Sequence, residues 1–206
     1  MSGAITEREL NMETKTKKLV GVGVFTGIVI VLQVIASFIK VGPFSITLCL
    51  IPIVCGAALY GWWAGAWLGF VFSMVVLISG DAAAFLAVNI PGTIVTVIAK
   101  GTLAGLVSGG VYALLDKAIK GNAGSVIAAV IAGILCPVTN TGIFLLGCKL
   151  FFMPTITGWA EASGFPNAGN YMIYGLVGVN FLIEVGVNAV CTPAVTQIVK
   201  FGKKNA

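Results

Sequence analysis

The run Leu19-Val-Gly-Val-Gly-Val-Phe-Thr-Gly-Ile-Val-Ile-Val-Leu-Gln-Val-Ile-Ala-Ser-Phe-Ile39 decides the class of fold. It contains no charged side chain, and its length matches the roughly 20 apolar residues that an α-helix needs to cross a bilayer. Across all 206 residues, 58% are hydrophobic and only 9% are charged, too few charges to cover a water-soluble globule. The chain is therefore expected to be an integral membrane protein.

Further apolar runs follow at about 48–60, 62–79, 93–116, 124–152 and 171–199. The predicted fold is all-α, with about six transmembrane helices in a single membrane domain over residues 1–206 that includes a short cytoplasmic N-terminal segment, 1–18. The second run is short for a full crossing, so tilt, a break at Pro52 or extension by its neighbours remain open. Pro137 predicts a kink in the fifth run.

The cations predict the orientation of the chain. Most of them lie in three groups beside apolar runs: Arg8, Lys15, Lys17 and Lys18; Lys117 and Lys120; Lys200, Lys203 and Lys204. With six crossings these groups share one side, which the positive-inside rule assigns to the cytoplasm. Both termini are then cytoplasmic, the cell membrane is the expected location, and no nucleic-acid partner is expected despite the net charge of +5.

Two links between the runs have a pattern of their own. Residues 40–47 alternate like a short extended segment. The longest link, 153–170, is rich in Gly and Pro, and it is the best candidate for a loop at the rim of a binding site, because loops on a rigid scaffold commonly carry binding residues.

Lys100 and Glu184 are ionisable residues inside predicted crossings. Such a side chain costs at least ~2.5–3.5 kcal/mol at the bilayer centre, so each should face protein or water. Either the two form a buried ion pair that locks two helices, or they line a ligand cavity. Asn140, and Asn180 one turn before Glu184 on the same helical face, extend this polar surface. Amides also join membrane helices, but together the four residues favour a wet pocket.

Polar and aromatic side chains near the outer ends of the runs add to the candidate site. Lys149 either snorkels to the interface or binds. The predicted substrate-binding residues are Asn89, Lys100, Asn140, Lys149, Trp159, Tyr174, Asn180 and Glu184. The chain has no His, and its five Cys residues lie inside apolar runs without a CxxC motif, so neither a metal nor a cofactor is expected.

The segment Phe44-Ser-Ile-Thr-Leu-Cys-Leu-Ile-Pro-Ile-Val-Cys-Gly-Ala-Ala-Leu-Tyr-Gly-Trp-Trp-Ala-Gly-Ala-Trp-Leu-Gly-Phe70 resembles the corresponding region of S-components of energy-coupling-factor (ECF) vitamin importers. Asn140-Thr-Gly and Asn180-Phe-Leu-Ile-Glu184 are similar to that family as well. The resemblance implies a six-helix subunit that binds one vitamin near the outer face. It also implies docking through small residues of the first span on a shared transmembrane coupling subunit, which two cytoplasmic ATPases drive. Gly23 and Gly27 match the docking positions, with Gly21 as an alternative neighbour.

The expected function is high-affinity capture of a vitamin for an ATP-driven importer. A lysine that meets an anionic group suggests pantothenate, whereas riboflavin, folate, biotin or another micronutrient would use aromatic stacking. The absence of a Walker-type motif fits a chain that borrows its ATPase. A self-sufficient carrier or channel would predict inverted repeats or paired broken helices. An intramembrane enzyme would need an acid/base pair, for which only Lys100 and Glu184 are available.

Overall fold

The computed structural model describes residues 2–41, 44–45, 47–119 and 122–204, so Gly42, Pro43, Ile46 and Lys120 of the segments discussed above lie outside it. Helices dominate the described chain. They are α1 (Ser2–Ser37), α2 (Leu50–Tyr60), α3 (Trp62–Ile78), α4 (Ala83–Leu86), α5 (Ile90–Ala118), α6 (Asn122–Phe151), α7 (Met153–Ala162), α8 (Ala168–Asn170), a π-helical stretch (Tyr171–Val177) and α9 (Gly178–Lys204). Two short strands, β1 (Lys40–Val41) and β2 (Phe44–Ser45), pair antiparallel and confirm the extended link after the first span.

The number of membrane crossings agrees with the six that the sequence predicts. Lys15–Ser37, Ile90–Ala118 and Gly124–Phe151 are each long and apolar enough to cross a bilayer. The last crossing is a pair of helical segments, Ala168–Val177 and Asn180–Cys191, bent by 43°. The shorter apolar helices α2 and α3 complete the set. Pro137 lies inside α6, which continues on both sides of it.

The short second span is α2, whose 11 residues rise only ~16 Å at 1.5 Å per residue. Pro52 does not break it, because this residue lies in the first turn, where the missing N–H has no helical partner to lose. Most residues of α2 are buried, and the helix packs against α1, α3, α5 and α9. An inner helix surrounded by longer ones does not need to match the full thickness of the bilayer.

Close backbone packing joins α3 to α5 through glycines that face each other. A Cβ added to Gly69 would collide with the carbonyl oxygen of Gly101, and one added to Gly105 would collide with the carbonyl oxygen of Gly65. Such contacts are how membrane helices approach closely where lipid supplies no hydrophobic driving force. Gly61 has a different role, because its φ of 99° makes the turn from α2 to α3.

Helix directions define two ends of the bundle. The crossings α1, α3 and α6 finish at the same end at which α5 and the last crossing begin, and this end is called the cavity end below. Lys15, Lys117 and Lys200 lie at the opposite end, as six crossings require.

Candidate functional site

A cavity opens at the cavity end, between α1, α3, α5, α6 and the last crossing. The cavity is open at its mouth, and the empty space counted up to and including that mouth is about 770 Å³. Both aromatic rings and polar side chains line its wall. Its polar and charged lining residues are Gln33, Thr47, Asp81, Thr93, Thr96, Lys100, Asn140, Thr141, Asn180 and Glu184.

Lys100 brings a positive charge into this wall. Its Nζ lies 5.6 Å from the ring centroids of both Phe72 and Phe144, within the range of cation–π attraction. Glu184 faces the same cavity, but no ion pair joins its carboxylate to Lys100 within the described residues. The expected alternative of a buried ion pair that locks two helices is therefore not what these two residues form.

Glu184 is held by the segment that precedes α2. It is 4% exposed, and Thr47 lies beside it, where its hydroxyl and its backbone N–H can donate to the carboxylate. Asp81, in the link after α3, contributes a second carboxylate to the lining. The cavity thus presents charges of both signs, an arrangement that membrane proteins keep for internal sites.

The buried polar side chains of the last crossing fall into two groups. Asn180 and Glu184 line the cavity, together with Asn140 of α6. Asn188 does not, because its Nδ2 donates to the carbonyl oxygen of Glu184 at 2.8 Å within its own helix. The structure therefore brings together Lys100, Asn140, Asn180 and Glu184 of the predicted binding residues.

The other predicted residues lie elsewhere. Asn89 is the N-cap of α5, where its Oδ1 accepts from the backbone N–H of Gly92 at 2.9 Å. Lys149 lies on the exposed side of α6. Tyr174 is 70% exposed, on the outer face of the π-helical stretch. The cavity is formed without these three side chains.

Trp159 lies next to the cavity, in a second depression called the vestibule below. Its lining includes Trp159, Ser163 and Tyr171, and it shares Asp81, Phe85 and Leu176 with the cavity. Phe85 separates the two spaces, because its ring packs edge-on against Phe144, Phe152 and Trp159 at centroid distances of 5.6, 5.0 and 5.5 Å. The predicted loop over 153–170 is largely helical here, since α7 occupies Met153–Ala162.

Several lining residues were not singled out from the sequence. Gln33 is 1% exposed on the inner face of α1. The sequence clue that could have identified it is that it is the one amide in an otherwise apolar run. Asp81 lies in the link between the third and fourth apolar runs, where a charged residue is ordinary and gives no signal of binding. Thr93 and Thr96 carried no signal, because threonine is ordinary in membrane helices.

The outer face of α1 offers small residues without neighbours. A Cβ added to Gly23 or to Gly27 would meet no described atom within 4 Å. At Gly21, by contrast, an added Cβ would collide with the hydroxyl of Tyr60. Gly21 therefore packs inside the chain, whereas Gly23 and Gly27 are open to a partner.

A mixed-charge cavity enclosed by apolar helices defines a membrane-embedded protein that binds small molecules. Residues 17–196 match the family model described as ECF transporter, substrate-specific component, and the chain belongs to that family. It is thus a multi-pass protein of the bacterial plasma membrane and the substrate-binding part of a transporter. Members of this family are substrate-binding components of transporters rather than enzymes, and their partners hydrolyse the ATP.

Two known proteins are similar over nearly the whole chain. The pantothenic acid transporter PanT of Lactococcus lactis subsp. cremoris (strain MG1363) is 24% identical over 205 residues, covering 94% of this chain and 99% of that protein. The structure of ThiT from Listeria monocytogenes has a TM-score of 0.65 and 20% identity, covering 93% of this chain and 97% of that one. The second likeness shows the fold alone.

Proposed function

We propose that this chain captures a small vitamin with an anionic group on the outer side of the membrane, with pantothenate as the leading candidate, for import by an ECF complex. The observation that carries the proposal is the Lys100 ammonium, which lines the cavity between two phenylalanine rings and is paired with no described carboxylate. A cation held in a low-dielectric site attracts an anion more strongly than it would in water.

The remaining lining also suits pantothenate, which carries a carboxylate, an amide and two hydroxyls. Asp81 and Glu184 can accept hydrogen bonds from hydroxyls, and the amides of Asn140 and Asn180 can pair with polar groups of either kind. The side chains expected to stack on the ring of a planar vitamin, Trp159, Tyr171 and Tyr174, do not line the cavity. The relative from Lactococcus lactis is a pantothenic acid transporter, which supports the same substrate.

The proposed direction of capture follows from charge. Lys15, Lys117 and Lys200 lie at the end opposite the cavity, and the positive-inside rule assigns that end to the cytoplasm. The cavity mouth then faces the outside, where a vitamin must be collected. A short N-terminal segment and the C-terminus would both lie in the cytoplasm, on the side of the ATPases.

The proposed docking surface is the outer face of α1 around Gly23 and Gly27. Open glycines permit the backbone of a partner helix to approach closely, and no described part of this chain covers them. The partner would be the shared transmembrane coupling subunit, which two cytoplasmic ATPases drive.

The test is native mass spectrometry of the full chain purified from bacteria that grow with pantothenate, followed by calorimetric titration in lipid nanodiscs. We expect one bound pantothenate per chain and titratable high-affinity binding, with thiamine as the negative control. Binding of thiamine, or of another vitamin in place of pantothenate, would remove pantothenate from the proposal. Uptake into proteoliposomes by this chain alone would contradict its role as a subunit.

A further inference from the structure

Asn140 holds an acceptor atom for which the described part of the chain supplies no donor. The residue lies in the middle of α6, is 4% exposed and lines the cavity. Its Oδ1 makes no hydrogen bond to any described residue. Buried polar groups are nearly always hydrogen-bonded, and an amide oxygen without a donor destabilises the state in which it is buried. An unmatched acceptor in a cavity wall therefore points to a donor that enters from the cavity.

Some polar groups in this region are paired within the chain, whereas the Thr96 hydroxyl, also in the cavity wall, makes no hydrogen bond to any described residue. The Thr93 hydroxyl, also in the wall, donates to the carbonyl oxygen of Asn89 at 2.7 Å. Asn188 is as deeply buried as Asn140, at 3% exposed, yet its Nδ2 donates to the carbonyl oxygen of Glu184 at 2.8 Å. Deep burial alone thus does not leave an asparagine of this fold unpaired, and the position of Asn140 on the cavity is what distinguishes it.

Asn140 lies one turn deeper on α6 than Phe144, whose ring packs against the ammonium of Lys100. Helix α6 runs toward the cavity end, and Phe144, whose ring lies 5.6 Å from the Lys100 Nζ, is one turn nearer that end than Asn140. Four residues of an α-helix rise ~6 Å. The cavity therefore offers a cation and, about one turn further in, an acceptor that carries no charge.

We propose that Asn140 Oδ1 accepts a hydrogen bond from an uncharged donor of the substrate, a hydroxyl or an amide N–H, bound about one helical turn deeper than the anionic group of the substrate. This inference rests on the proposed function, because it takes the cavity as the substrate site. It narrows the substrate class to hydroxylated or amide-containing anions. A carboxylate on a plain hydrocarbon chain leaves Asn140 unpaired and is rejected for that reason.

The test compares three compounds on the wild type, on Asn140→Leu and on Asn188→Leu, by calorimetric titration of the full chain in nanodiscs. Pantothenate has the carboxylate and the donors, pantothenol keeps the donors but lacks the carboxylate, and a tertiary N-acyl-β-alanine without hydroxyls keeps only the carboxylate. We expect Asn140→Leu to reduce the preference for pantothenate over the donor-free acid by about tenfold. Asn188→Leu should leave that preference unchanged. Both variants should keep the preference for pantothenate over pantothenol, which loss of Lys100 would reduce.

An unchanged preference in Asn140→Leu would overturn the inference. Failure of the wild type to bind either acid is a different result, because it removes pantothenate as the substrate, and a second measurement then decides about Asn140. The ligand-free Asn140→Leu chain should melt at a higher temperature than the wild type, since the substitution removes an unmatched acceptor, whereas Asn188→Leu should melt lower. A lowered melting temperature for Asn140→Leu would show that its oxygen is already satisfied without substrate, and would overturn the inference as well.

Discussion

The Nε2 of Gln33 donates a hydrogen bond to the Oδ2 of Asp81 at 2.9 Å, across the top of the cavity. The Oε1 of the same glutamine accepts from the thiol of Cys49 at 3.4 Å, and Ser79 donates to Asp81 at 3.3 Å. Helix α1 is thereby tied to the link after α3 and to the start of α2. The helix whose outer face carries the open glycines thus contributes its inner face to the cavity wall, so a single rigid element lies between the proposed substrate and the proposed partner.

Replacing Gln33 by Leu should weaken both the fold and substrate binding. The substitution keeps the bulk but removes the donor to a carboxylate, and a hydrogen bond to a charged group contributes about 2 kcal/mol. We expect a lower melting temperature in nanodiscs and weaker pantothenate binding by calorimetry. Gln197→Leu is the matched control, because that glutamine is exposed on α9. Equal effects of the two substitutions would show that the contact to Asp81 contributes nothing specific.

Replacing Lys100 by Met should reduce pantothenate affinity by about tenfold to a hundredfold. The side chain keeps its length but loses the charge that meets the anion, and a hydrogen bond to a charged group contributes about 1.5–3 kcal/mol. Calorimetric titration measures the change. Lys149→Met is the control, since Lys149 lies on the exposed side of α6 at the same end of the bundle. If Lys149→Met alone weakened binding, the substrate would lie outside the cavity described above.

Replacing both Gly23 and Gly27 by Leu should abolish ATP-driven uptake while pantothenate binding by the isolated chain stays intact. Bulky side chains at open positions disturb nothing within the chain but prevent close approach of a partner helix. Uptake into cells that express the complete transporter measures the first effect, and titration measures the second. Gly186→Leu is a suitable control, because it is also exposed on a helix with no described atom within 4 Å of an added Cβ. Normal uptake by the double variant would contradict docking on this face.

Replacing Gly69 by Ala should destabilise the chain by about 1–3 kcal/mol, because the added methyl group collides with the carbonyl oxygen of Gly101 and forces α3 and α5 apart. The melting temperature in detergent or nanodiscs reports the loss. Gly110→Ala on α5 should be neutral or slightly stabilising, since nothing described lies within 4 Å of its added Cβ. A stable Gly69→Ala chain would mean that the two helices can repack without cost.

Hydropathy and charge were enough to predict the number of crossings, because each membrane helix must satisfy its backbone hydrogen bonds within itself and hide its charges. The same reasoning found Lys100 and Glu184, which line the cavity. Their relation to each other could not be predicted in this way. Whether two buried charges pair or remain apart depends on helix packing, and the aromatic neighbours Phe72 and Phe144 come from two different helices.

Local backbone geometry explains why three predicted binding residues, Asn89, Trp159 and Tyr174, do not line the cavity. Asn89 precedes Ile90-Pro91, a pattern typical of a helix start, and its side chain caps α5. Trp159 lies on α7, a helix in a stretch whose glycines and prolines predicted a loop. Tyr174 would share a helical face with Phe181, seven residues later, if the helix were regular. The π-helical stretch shifts that register, and no sequence period reveals it.

The same stretch makes the length of the chain, and not only its composition, a determinant of what the protein binds. A π-helical hydrogen bond spans one more residue than an α-helical one, so losing a single codon between Gly175 and Val177 could restore a regular helix. Because α9 is packed against α2 and α6, the resulting rotation of roughly 100° per residue would fall on the outer segment and turn Tyr174 about the helix axis. A one-codon deletion here would change which side chains face the cavity mouth, a route by which related chains could acquire different vitamins while every residue of the cavity floor stays the same.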